Sequence, residues 1–111
     1  SGGGLTVVLP FMMSSATSGK IRLEAAIRAL VDDTEDIDAA HTYLFNGVSV
    51  DPVPSASGEP DYPTITFTDG ADMDSWADGE LAILRVWRDY NHADDNAAGD
   101  LELLVPIVKE T

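Results

Sequence analysis

Seven clusters of turn-forming residues punctuate this chain: SSATSGK at 14–20, DDTED at 32–36, NG at 46–47, DPVPSASGEPDYP at 51–63, DGAD at 69–72, ADGE at 77–80 and NHADDNAAGD at 91–100. Gly, Pro, Asn and Asp at this spacing leave only short apolar runs between them. That rhythm predicts an all-β protein, an antiparallel β-sandwich of jelly-roll-like arrangement with at most one short helical turn. With 111 residues the chain has the length of one domain, assigned to 5–111, and the leading SGGG at 1–4 reads as a linker or cloning remnant.

The individual runs fit this frame. Leu5 to Met13 is apolar and β-branched, and Pro10 makes it an edge strand or a bent one. TITFT at 64–68 alternates Thr with Ile65 and Phe67, as a half-buried strand does. The segment KIRLEAAIRALV at 20–31 is ambiguous. Its composition favours helix, with Leu23, Ile27, Leu30 and Val31 on one helical face, yet apolar residues also stand at every second position from Ile21 to Val31. The surrounding turn rhythm favours a strand. Met73 and Trp76, three apart between two turn signals, suit a single helical turn that plugs the end of the sandwich.

Two late runs carry apolar residues on both faces. In Leu81–Asp89, Leu81, Ile83 and Trp87 alternate with Ala82, Leu84 and Val86. In Leu101–Val108, Leu101, Leu103, Val105 and Ile107 alternate with Leu104, Pro106 and Val108. Successive side chains of a strand point to opposite faces, so one set of each run needs a cover other than the core. That cover is either a second copy of the chain, with Leu84, Val86, Leu104 and Val108 as the interface candidates, or the Pro-rich segment 51–63 folded across the sheet. The two runs are expected to be adjacent antiparallel strands joined by the polar loop Asn91–Gly99.

That loop resembles a calcium site in part. Counting from Asp94, oxygen-bearing side chains stand at positions 1 and 3 (Asp94 and Asn96) and Gly99 stands at position 6, but Ala98 and Val105 occupy positions 5 and 12, where an EF-hand has ligands. Flanking helices are absent from the pattern as well. The cluster reads as a turn, with no cofactor required; Asp94, Asn96 and Asp100 are the residues that would ligate calcium if the loop held it.

Composition narrows the partners. Twenty acidic and six basic residues give a net charge of −14, which repels nucleic acid and anionic membrane. No apolar run reaches the about 18 residues of a membrane span. No cysteine is present, and GxSxG, HExxH and phosphate-loop signatures are missing, so no enzyme class is indicated. His41 and His92 stand in unrelated contexts, His41 as a solvent-facing residue at the start of HTYLF. The carboxylates are too many for any one pair to mark catalysis. Trp76, Trp87, Tyr43, Tyr62 and Tyr90 could form a sugar-stacking platform, although aromatics in a small β domain more often fill its core.

The order of SATSG, DDTEDIDA, TITFTDGADMDSWADGELAILRVWRD, an Asp-rich loop and GDLELLVPIV resembles a small β-sandwich domain of tailed-bacteriophage and prophage structural proteins, often tail-associated. The resemblance spans residues 14–108. It departs from the family pattern at Trp87, where a second basic residue is usual, and at Asp95 and Asn96, where a Thr follows the loop aspartate. It implies a non-catalytic virion role, tail- or fibre-associated, in a symmetric homo-oligomer, a trimer by preference, in contact with other virion proteins. The alternative is a carbohydrate-binding β-sandwich module with structural calcium.

Overall fold

The computed structural model describes residues 3–111. The strands are β1 (Leu5–Val8), β2 (Phe11–Met13), β3 (Ile21–Leu30), β4 (Asn46–Val50), β5 (Thr64–Phe67), β6 (Leu81–Arg88), β7 (Leu101–Leu103) and β8 (Ile107–Glu110), with one 3-10 turn at Ala71–Met73. All pairings are antiparallel, in ladders ordered β5-β1-β8, β2-β7 and β4-β3-β6. The first two ladders form one layer, because Pro10 and Pro106 only bend the strands they interrupt. Across the bends Leu9 N–H donates to Pro63 O (2.9 Å) and Leu104 N–H to Pro10 O (2.8 Å). The second layer is β4-β3-β6, so the molecule is an antiparallel sandwich in which β1–β2 pairs with β7–β8 and β3 pairs with β6, as in a rolled-up hairpin.

The segment 20–31 is a strand. Ile21, Leu23, Ala25, Ile27 and Ala29 are buried and enter the core with Leu5, Val7, Leu9, Phe11, Met13, Val50, Val53, Ile65, Phe67 and Met73. Its period of two prevails over helical propensity because the alternate residues match the apolar inner face of the opposite layer. Met73 is fully buried at the end of the sandwich and Trp76 packs beside it, the plug expected from their spacing. Asp74 follows in a left-handed conformation (φ 55°), and its Oδ2 accepts the Ala29 N–H at 2.9 Å, where β4 no longer reaches β3.

Three expectations are corrected. Leu81–Asp89 and Leu101–Val108 are not neighbours: β6 pairs with β3, whereas β7 and β8 pair with β2 and β1. The polar segment between them crosses from one layer to the other. The second cover of the β3–β6 sheet is segment 31–45, not 51–63. Arg28, buried on the outer face, donates to Glu35 Oε1 (2.7 and 3.0 Å) and to the carbonyl of Asp36 (2.7 Å). The Pro-rich segment instead flanks β2, through mutual bonds between Phe11 and Asp61 and a Gly58 N–H to Met13 O bond. Finally, the aromatics are mostly not core: Tyr62, Trp87 and Tyr90 are exposed, and Tyr43 and Trp76 half-buried.

Of the leading four residues, Ser1 and Gly2 lie outside the described residues. Gly4 precedes β1 and accepts the Thr111 N–H at 2.9 Å, just past the end of the β1–β8 ladder. A side chain there would run into the Phe67 carbonyl.

Candidate functional site

Three places gather polar or apolar side chains in a way that could serve a function. The first is the acidic loop. Arg88, the last residue of β6, forms a fork with Asp95 (Nε to Oδ2 2.9 Å, Nη2 to Oδ1 2.8 Å) and donates onward to the carbonyls of Ala97 (2.6 Å) and Gly99 (2.8 Å). Asp95 Oδ2 also accepts the Arg22 N–H at 3.0 Å. Asn96 Oδ1 accepts the Lys20 N–H at 2.8 Å, while Lys20 O accepts the amides of Asn96 and Ala97. Asp94 Oδ2 accepts the Ser49 hydroxyl, and the Asp100 carbonyl accepts the Ser14 amide. Of the calcium candidates, Asp94 therefore directs an oxygen to β4 and Asn96 to Lys20 at the entrance of β3, while Asp100 is exposed. Among the described residues no group of three or more acidic or histidine side chains is placed to hold a metal ion. Adding calcium or chelator is expected to shift the melting temperature by less than about 4 °C, the scale on which about 1 kcal/mol appears.

Asp95 and Asp72 make the loops sensitive to acid. Burial pushes the Asp95 carboxyl up, but hydrogen bonds from Arg88 and the Arg22 amide more than offset this and leave it below its ordinary 3.8. Asp72 behaves alike: burial raises it, and the Thr68 amide, the Asn46 side chain and the Thr68 hydroxyl bring it below 3.8. A carboxyl lowered by folding stabilises the folded state above its unfolded pKa and loses that contribution as pH falls through the folded value. The −14 charge works in the other direction, since protonating exposed carboxylates relieves self-repulsion. Thermal unfolding is thus expected to change little from pH 7 to 5 and to fall below about pH 4, within the range that these two groups titrate. A melting temperature that rises steadily down to pH 3 would contradict it.

The second place is the outer face of the β3–β6 sheet. Trp87 stacks on Phe45 (5.4 Å between centroids, 30° between planes) and donates its Nε1–H to Glu24 Oε1 at 2.9 Å. The Arg85 guanidinium lies over the rings of Tyr43 (5.2 Å) and Phe45 (5.6 Å), and His41 meets Tyr43 edge-on. Arg22 lies across Gly47, whose missing side chain makes room for it, and bonds Glu24 and Ser49. His41 is half-buried here rather than solvent-facing, with Nε2 3.8 Å from Asp74 Oδ2.

The third place is the seam between the layers. On one side of the sandwich, β6 is the last strand of its sheet and β8 the last strand of the other. An apolar cleft of ≈ 160 Å³ opens between them, lined by Ile27, Trp76, Ala82, Ile83, Leu84 and Val108. The interface candidates divide here. Leu84 and Val86 turn inward and pack against the core, so the outward set on β6 is Leu81, Ile83, Arg85 and Trp87, whereas Leu104 and Val108 are exposed along the opposite edge. Leu84 and Val108 still meet, across the cleft. The linear pattern does not group Ile27, Trp76 and Ile83 with them, because nothing in it says which edges share a seam. Compared with protein-family models, with curated proteins and with solved structures, the chain has no match.

Proposed function

We propose that this chain is a non-catalytic structural and interaction module of a tailed-phage virion, tail- or fibre-associated, that assembles with copies of itself and with other virion proteins through apolar surface. The observation that carries the reading is the open seam, where two strand edges, unpaired among the described residues, border exposed Leu81, Val105, Ile107 and Val108. Long apolar strand edges are normally capped, charged or covered in proteins that stay alone. Three partly buried carboxylates support a structural role: Asp72, Asp74 and Asp95 each hold a backbone amide. Antibody against the chain, applied to tailed particles of the phage or prophage that encodes it, is expected to label the particle in electron micrographs. Label confined to the particle-free fraction would contradict the virion role.

A carbohydrate-binding module is the second reading, and one observation favours it. Trp87 is 44 % exposed and stacked on Phe45, with the Glu24 carboxylate and Arg22 guanidinium beside it, the pairing of ring face and polar groups that sugars use. On this reading a glycan array gives binding that Trp87→Ala abolishes; on the virion reading it gives none.

A further inference from the structure

We propose that the β6–β8 seam is closed by a second copy of this chain, in a two-fold dimer that sets β6 of each copy against β7–β8 of the other. The proposal rests on the self-assembly part of the reading above and names the surface and the occupant.

Chain directions come first. Leu81 begins β6 at the end of the sandwich where Glu80 and Glu110 share a cleft with Trp76. Arg88 ends β6 at the opposite end, bonded to the Gly99 carbonyl two residues before β7 begins. β6 and β7–β8 therefore run antiparallel along the same side of the molecule. A two-fold axis parallel to the strands brings each β6 edge beside the partner's β7–β8 edge, antiparallel, at both seams together. A head-to-tail ring would need its two edges on different sides. The geometry points to two copies rather than three.

Area and charge agree with that occupant. Leu81, Leu103, Leu104, Val105, Ile107 and Val108 are 40 % to 77 % exposed. They leave on the order of 500 Å² of aliphatic surface in water, close to the apolar share of a standard interface of about 800 Å² per partner. β6 carries no acidic residue and offers Arg85, its Arg88 being already paired with Asp95, whereas 101–110 carries Glu102 and Glu110 with Lys109 alone opposing them. Setting β6 against β7–β8 thus opposes unlike charges, which a β6 to β6 pairing would not, and a chain of net charge −14 has few other places to meet its own copy favourably. The unpaired amides and carbonyls of both edges gain partners in the same step.

The test uses the absence of cysteine from the chain. Sedimentation of the wild-type chain at about 100 μM, well above the micromolar affinity typical of weak standard-size interfaces, is expected to give twice the 11.8 kDa chain mass. Leu81→Lys and the double variant Val105→Lys with Ile107→Lys, all at exposed positions, are expected to keep the wild-type circular dichroism and melt while sedimenting as monomers. Single-cysteine variants Leu81→Cys and Lys109→Cys, mixed and oxidised, are expected to form the mixed disulfide far above the half share that random pairing gives. A wild-type monomer or trimer, an unchanged mass in the lysine variants, or a random disulfide distribution each overturns the proposal. The virion reading fails separately, on the particle labelling, which none of these results touches.

Discussion

Asp95→Ala is expected to cost about 3–4 kcal/mol, the lower part of the range for breaking a buried ion pair, because Arg88 keeps some access to water. The Asp95 side chain is 2 % exposed and that of Arg88 18 %. Removing the carboxylate leaves the Arg88 fork without its charge partner and the Arg22 amide without an acceptor. On the scale for a domain of this size, about 4–8 °C per kcal/mol, the melting temperature should fall by more than about 10 °C. Asp94→Ala is the matched control. It removes one bond from the Ser49 hydroxyl at a half-buried position, worth about 0.5–1.5 kcal/mol. If the loop were organised as a cation site, the order of the two variants would depend on added calcium; for a protein-only clamp it does not. Equal melts for Asp95→Ala and the wild type would refute the clamp.

Phe11→Ala is expected to lose about 3–5 kcal/mol, the usual cost of emptying a fully buried aromatic site. Phe11 is completely buried, and its strand is held from both sides: Phe11 N–H donates to Asp61 O at 3.0 Å, and β7 pairs along the other edge. Backbone pairing on both sides limits how far the site can collapse, which places the expected loss toward the top of the range. Against a typical total of about 5–15 kcal/mol, this substitution alone removes a large share of the stability. Chemical denaturation resolves it, and a loss below about 1.5 kcal/mol would mean that Phe11 does not fill the core as described.

The same two residues show what is legible in a sequence of this kind. Phe11 sits in an apolar run bent by Pro10, and both the strand and its bend follow from the residues alone. So does β3, where alternation from Ile21 to Ala29 marks the inner face, although Val31, the last residue of that alternation, lies past the strand and is exposed, and so does the plug at Met73 and Trp76. The partner of each strand is a different matter. β3 pairs not only with β4, the next strand in the chain, but also with β6, more than fifty residues later; both faces of β6 are apolar, so alternation could not decide whether Leu84 or Ile83 turns inward. Arg88 and Asp95 sit seven residues apart across a loop, at no spacing that signals a contact. The acidic run DDTED at 32–36 reads as a turn, and the covering role of segment 31–45 depends on the buried Arg28, whose fork to Glu35 and the Asp36 carbonyl is a tertiary fact. The seam is the clearest case. Leu84, Val86, Leu104 and Val108 are apolar in the sequence whichever way they point, and only the order of strands in the two layers shows that two of them face the core and two border an open edge.

Amide hydrogen exchange in β6 and β8, followed at two protein concentrations a hundredfold apart, tests the central claim that these edges are an assembly surface. In a lone chain the β6 amides bonded to β3 are protected, and those on the free edge exchange quickly at any concentration. The expected result is that the outward amides of Leu81–Arg88 and Ile107–Glu110 gain protection as concentration rises, while those of β1, β2 and β5 do not change. Exchange at both edges that is fast and independent of concentration would contradict it.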